Sequence, residues 1–315
     1  MTQRFRTALI VVGSALALVG AAYYWLIAES HMPADARYDF DIAEVRRIAG
    51  AAPGDKPTSV EMEQVAIFKF PATAIVAGDG WEMRDMPVFS WRLTYPGASV
   101  IVDTALNREI GGSQMASFDD DAYARMQTVM TQSSLIVITH EHMDHIGGLT
   151  AHPQLPSLLP ATRLNRAQVA HPELSLPAKF PDHELDGYDA LEYEKYYSAA
   201  PGVVLIKAPG HTPGSQMVYV QTADGREFLF IGDVAWKFRN IDVQRERARL
   251  VTWLFLKEDR DAVFGQLAAL KRLHETEPRI HIVPGHDGEA VDELVHAGLI
   301  KPRFDLSTGQ PLAAP

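Results

Sequence analysis

Residues 139–145 read Thr139-His140-Glu141-His142-Met143-Asp144-His145, directly after the apolar run Leu135-Ile136-Val137-Ile138 and before Ile146-Gly147-Gly148-Leu149. Three imidazoles and two carboxylates, Glu141 and Asp144, are packed into six residues. Imidazole suits zinc and other first-row transition metals, and an aspartate adds a harder oxygen ligand, so such a turn can serve two neighbouring ions. Leu135 to Thr139 has the length and composition of a strand buried on both faces. It would deliver the metal loop at its C-terminal end, where ligand sites gather in α/β architectures.

Three further strands end in the same way. Val203-Val204-Leu205-Ile206 leads into Ala208-Pro209-Gly210-His211-Thr212, Glu227-Phe228-Leu229-Phe230-Ile231 into Gly232-Asp233, and Ile280-His281-Ile282-Val283 into Pro284-Gly285-His286. A single histidine after a strand is ordinarily structural. Repeated placement at strand ends, beside Gly or Pro that lets the backbone turn, is not explained by packing. The other histidines, His31, His152, His171, His183, His274, His281 and His296, read as surface or core residues. With no cysteine in the chain, any metal must be held by nitrogen and oxygen.

The remaining elements are consistent with an α/β fold class. Val65–Phe70, Val88–Tyr95 and Ser99–Val102 read as strands bounded by turn residues. Asp119-Asp120-Asp121 offers N-capping carboxylates to a helix running to about Thr131, and a second helix is expected from about Asp259 to His274. Residues 152–200, rich in Pro and carrying Tyr188, Tyr193, Tyr196 and Tyr197, form an irregular insertion that is either a lid or a surface excursion.

The N-terminus is of another kind. From Thr7 to Ala28 there is no charged residue, and at ~1.5 Å per residue that run spans the roughly 30 Å of a bilayer core. It exceeds the apolar region of a typical signal peptide and ends in Tyr23-Tyr24-Trp25, where an interfacial aromatic belt would lie. An uncleaved anchor is expected, with a cleaved signal as the alternative. Arg4 and Arg6 precede the run and Glu29, Asp35, Asp39 and Asp41 follow it, so the body of the protein would face away from the cytoplasm. That places it on the periplasmic side of an inner membrane, or free in the periplasm if the segment is cleaved. Residues 29–60 read as a tether with a short amphipathic helix at Asp41–Ile48.

The motifs His140-Glu141-His142-Met143-Asp144-His145, Gly210-His211-Thr212, Gly232-Asp233 and Gly285-His286, in this order and on strand ends, resemble the metallo-β-lactamase fold superfamily over nearly all of residues 60–290. The resemblance implies an αβ/βα sandwich, two sheets face to face with helices outside, spanning residues 61–315. It also implies one metal on His140, His142 and His211, a second on Asp144, His145 and His286, and Asp233 bridging them. A bridging Asp is similar to the N-acyl homoserine lactonase and glyoxalase II-like branches rather than to the true β-lactamases.

The function so implied is a dinuclear hydrolase, with zinc the first choice and iron, manganese or cobalt alternatives, that opens a lactone or related ester by attack of a metal-bridging hydroxide. Asp144 would orient the water and shuttle a proton. The lactonases of the family carry a Tyr three residues after the bridging Asp. Here Trp236 stands there, either a substitute donor to the substrate or an apolar wall. The apolar run Val251-Thr252-Trp253-Leu254-Phe255-Leu256 could extend an acyl pocket.

A phosphodiesterase, with Lys237 and Arg239 near the phosphate, or a β-lactam or thioester hydrolase would use the same site, and a mononuclear-iron persulfide dioxygenase a part of it. Nucleic acid is not an expected partner, because a net charge of −11 leaves no basic footprint for a phosphate backbone.

Overall fold

The computed structural model describes residues 2–308. The last seven residues of the expected hydrolase domain therefore lie outside the described part. Eleven strands form two sheets. The first holds β1 (Ser59–Pro71), β2 (Met83–Tyr95), β3 (Ala98–Val102), β4 (Ser117–Phe118), β5 (Leu135–Val137) and β6 (Thr162–Arg163), in the order β4-β1-β2-β3-β5-β6. The second holds β7 (Tyr196–Ala200), β8 (Val203–Lys207), β9 (Gln216–Gln221), β10 (Glu227–Phe230) and β11 (Ile280–Val283), in the order β11-β10-β9-β8-β7. Of the strand pairs, β3–β5, β5–β6 and β10–β11 are parallel, and two isolated parallel bridges join Glu61 to Lys301 and Asn165 to Leu191.

The layers follow from period-two alternation along the strands. In β8, Val203 and Leu205 face the other sheet, where they meet Trp91, Leu93, Val100 and Val137, while Val204 and Ile206 face outward. The outer face of the first sheet is covered by the helices Asp120–Met130 and Met143–Thr150, and that of the second by Ile42–Ala51 and Arg260–Thr276. This is the expected sandwich of two sheets between helices. In β1 a bulge between Gln64 and Ala66 adds one residue. Val60 and Met62 before it point between the sheets, whereas Ala66 and Phe68 after it point to the outer layer. One extra residue exchanges the faces of a strand.

Asp41, Asp119 and Asp259 each N-cap a helix by accepting from backbone N–H groups, the cap expected of the 119–121 triplet. Residues 29–60 are not a free tether. Val45 and Ala49 are fully buried against β8 and β9, and the Asp41 N–H donates to the Tyr196 hydroxyl.

The 152–200 insertion contributes β6 and β7 to the two sheets, and its tyrosines are structural rather than part of a lid. The Tyr188 hydroxyl accepts from Leu164 N–H, and that of Tyr193 donates to Gln216. At the N-terminus, Gln3–Ala28 is a helix long and apolar enough to cross a membrane.

Candidate metal centre

The loop after β5 supplies four of the expected ligands. His142 sits at the N-cap of Met143–Thr150, and Asp144 and His145 occupy its first turn. The strand stops at Val137 because the next backbone donor is taken by a side chain: Thr139 N–H and Oγ1–H both donate to the Asp103 carboxylate, at 2.6 and 2.8 Å. The helix then lies so close to the end of β3 that a Cβ on Gly148 would collide with the Thr104 carbonyl, which explains one glycine of the motif.

The second sheet brings the other three. Asp233 lies in a short turn after β10, and His286 follows the parallel neighbour β11, the two strand ends joined by Ile231 N–H to Val283 O. A Cβ on Gly285 would run into Asp233 Oδ1, so only glycine lets this carboxylate stand beside His286.

Seven side chains from four strand ends meet between the sheets and fall into two sets, His140, His142, His211 and Asp233 in one, Asp144, His145 and His286 in the other, each with ligand atoms within 4.8 Å of one another. Asp233 faces both. Its Oδ2 lies 3.3 Å from His211 Nε2 and 3.7 Å from His140 Nε2, and its Oδ1 lies 3.2 Å from His286 Nε2 and 3.4 Å from His145 Nε2. Within the first set His142 Nδ1 is 3.1 Å from His140 Nε2 and 2.9 Å from His211 Nε2. Asp144 Oδ2 is 3.5 Å from His286 Nε2.

The donor set fits a pair of cations. His145 Nε2 and Asp233 Oδ1 are buried with no hydrogen-bond partner, a cost that a cation removes. The proton of each outer imidazole is fixed on the far nitrogen: His145 Nδ1 faces Asp103 Oδ2 at 2.8 Å, His286 Nδ1 faces the Pro87 carbonyl at 2.8 Å, and His211 Nδ1 faces Glu258. The Nε2 of each of these three is thereby turned inward, whereas His142 presents its Nδ1.

Burial, then the charge of neighbouring histidines, pushes the His142 pKa down to about 3 and that of His140 well below its ordinary value. Burial opposes ionisation of Asp233, yet the imidazoles around it, His286 first, hold its carboxyl well below the usual carboxylate range. Burial opposes protonation of His145, His211 and His286 as well, but the carboxylates beside them raise their pKa values, so a cation binding there would have to displace protons to reach the neutral imidazoles and ionised carboxylate that ligate.

Glu141, inside the motif, is no ligand. Its buried carboxylate accepts from Thr212 Oγ1 and Gly214 N–H, tying the first loop to the His211 loop, and burial raises its pKa.

Three residues that hold the ligands carried no signal in the sequence. Asp103 orients His145. Glu258, its side chain buried, orients His211 from 47 residues further along the chain and is itself paired with the buried Arg247. Asp103→Asn is expected to lower metal affinity by about 10–100-fold. Competition titration with a chromophoric chelator checks this.

Two expectations are corrected. Trp236 is not a donor to substrate: its Nε1–H donates to Asp233 Oδ2 at 2.7 Å, and its buried ring lies between Phe70, at 5.7 Å, and the Arg247 guanidinium, at 5.0 Å. The run 251–256 does not wall an acyl pocket, because Trp253, Leu254 and Phe255 point outward, 60%, 57% and 75% exposed. A short segment with its polar residue buried and its large apolar ones outside inverts the usual pattern.

Against known proteins, residues 83–286 match the family described as the Metallo-beta-lactamase superfamily. A Mycobacterium tuberculosis protein named as a metallo-hydrolase is 29% identical over 180 residues, 48% of this chain and 54% of its own. An N-acyl homoserine lactonase of Bacillus sp is 25% identical over 180 residues, 51% of this chain and 69% of the relative. The chain thus spans only about half the length of the mycobacterial protein. Among solved structures, an N-acyl homoserine lactone hydrolase with N-hexanoyl-L-homoserine at its metal centre superposes with a TM-score of 0.58 at 20% identity, over 76% of this chain and 96% of the other. The family match covers most of the chain and every strand but β1, and the ligand loops converge within it: the protein belongs to the metallo-beta-lactamase superfamily.

Proposed function

We propose that the protein is a membrane-anchored, dinuclear metal-dependent hydrolase that opens a lactone or related carboxylic ester. The observation that carries this reading is Asp233, whose two oxygens face two separate sets of imidazoles. Two divalent ions held there, zinc suiting the imidazole-rich set, supply a water acidified towards neutrality and polarise a carbonyl.

The chain's own groups do the rest. Asp144, whose side chain is the more accessible of the two ligand carboxylates, is placed to take the proton of the attacking water and return it to the departing alkoxide. Asp103, Glu258 and the Pro87 carbonyl keep the imidazole protons on the outward nitrogens. Trp236 holds the Asp233 carboxylate in place. The mycobacterial and Bacillus relatives support hydrolysis, the latter with a lactone as substrate class.

A phosphodiester is the weaker alternative. The Arg239 guanidinium is committed to Asp79 through two hydrogen bonds of 2.6 and 2.8 Å, and Lys237 is turned towards Asp287. The anchor reading rests on the apolar helix Gln3–Ala28 and on the charges that flank it.

The test takes the full chain in detergent or vesicles, counts metals per chain and screens acyl homoserine lactones, simple lactones, aryl esters, nitrocefin and bis-p-nitrophenyl phosphate. Two metals per chain and turnover of lactones or esters, lost on chelation and restored by metal, are expected. One iron per chain, or turnover of the phosphodiester alone, would end the reading.

A further inference from the structure

Outside the anchor, exposed large apolar side chains cluster on two segments that flank its end. One is the connection at the tip of the β1–β2 hairpin, with Phe70, Trp81 and Met83. The other is Trp253, Leu254 and Phe255. Both touch the aromatic end of the anchor. Trp81 lies 6.4 Å from Tyr23, and Trp253 meets Trp25 edge-on at 5.7 Å, centroid to centroid. Backbone and ion-pair contacts fix the two parts together. Gly78 N–H donates to Ile27 O, the Arg249 guanidinium sits 4.9 Å over the Trp25 ring, and Arg249 pairs with Glu29.

We propose that these two segments form a second membrane contact, seating the catalytic domain on the bilayer that the anchor crosses. The inference rests on the anchor reading. Tyr23 lies five residues before the end of the helix at Ala28, so the contact with Trp81 is made roughly 7 Å below that end, at 1.5 Å per residue. That is the depth at which amphipathic segments rest in the headgroup and acyl boundary. Trp and Tyr favour this level, and a belt drawn from both anchor and domain follows. Large apolar side chains held there are costly facing water and stable facing lipid.

The seat adjoins the metal centre on both sides. Phe70 packs against Trp236 with the rings tilted at 31°, Trp236 holds Asp233, and the segment that exposes Phe255 continues into Glu258, which holds His211. An ester whose acyl chain is dissolved in the membrane is the substrate class this arrangement suits.

The absence of cysteine allows a direct test. Full chains carrying one cysteine each, Phe255→Cys, Met83→Cys, Leu16→Cys in the anchor and Ala223→Cys on an exposed turn of the second sheet, are labelled with NBD and reconstituted in phosphatidylcholine and phosphatidylglycerol vesicles. Emission at 255 and 83 is expected to move to shorter wavelength and to be quenched by doxyl-labelled lipid as strongly as at 16, while 223 stays aqueous.

Quenching at 16 with aqueous spectra at 255 and 83 would overturn the seat and leave the anchor standing. Loss of quenching at 16 would remove both. A blue-shifted probe at 255 or 83 that lipid-borne quencher does not reach means a covering protein, a second copy included, and sinks the proposal. Quenching at only one of the two positions refutes a two-sided seat.

Discussion

On the proposed dinuclear reading, Asp233→Ala is expected to reduce bound metal from two ions per chain to one or fewer, and to lower turnover by at least about 100-fold. That figure is the upper end of what removing only an outer partner of a ligand costs. The reason lies in the two directions of the carboxylate, Oδ2 towards His140 and His211 and Oδ1 towards His145 and His286. Alanine removes the only anion shared by both sets.

It also strands the Trp236 Nε1–H, whose listener in the fold is Asp233 Oδ2, and a buried donor without a partner costs about 1–3 kcal/mol. Trp236→Phe alone keeps the shared carboxylate but lets it turn. A loss of about 10–100-fold in metal affinity is expected for it, with both ions still bound at saturation. Metal analysis and calorimetric titration separate the two variants. An unchanged metal count in Asp233→Ala would show that Asp233 is not shared.

The second large effect concerns the buried pair Arg247 and Glu258. Burial alone would raise the Glu258 pKa, yet the Arg247 charge and the hydrogen bond from His211 hold it below its ordinary value. Arg247→Met retains bulk over the Trp236 ring but leaves a buried carboxylate without its cation. Breaking one side of a buried pair costs about 3–5 kcal/mol, so a clear fall in the denaturation midpoint is expected. Glu258→Gln should destabilise comparably, and should also loosen His211 and weaken metal binding. The double variant Arg247→Met/Glu258→Gln leaves neither charge unpaired and is expected to regain most of the lost stability. Strictly additive losses in denaturant titrations would contradict the coupling.

These contacts also mark the limit of what could be read from the chain. The ligands were legible because imidazole and carboxylate at strand ends are rare and local: His140 to His145 sit in one turn, and His211, Asp233 and His286 each follow an apolar strand beside a glycine. Helix starts at Asp41, Asp119 and Asp259 were legible for the same reason, since a cap is a contact over two or three residues.

Asp103 and Glu258 were not, because they act on histidines 42 and 47 residues away that only the closed fold brings near, and Arg247 acts through Glu258. The two-sheet arrangement itself came from the family resemblance, not from periodicity. The outer half of β2 was missed because Met83, Arg84 and Asp85 are exposed and do not alternate. Trp236 was different in kind. Its partner lies three residues away, and an indole donor next to a ligand carboxylate could have been paired on paper.

Glu29 bears on how the chain is processed. Its carboxylate is shared by Arg249 and Arg260, and the preceding turn supplies the Ile27 carbonyl that Gly78 uses. A peptidase cutting just before Glu29 would remove that carbonyl and create a new α-ammonium beside two guanidinium groups. Like charges so placed repel, against the attraction of the Glu29 carboxylate for the same guanidinium groups. The joint between helix and body thus rests on contacts that a cut before Glu29 would break.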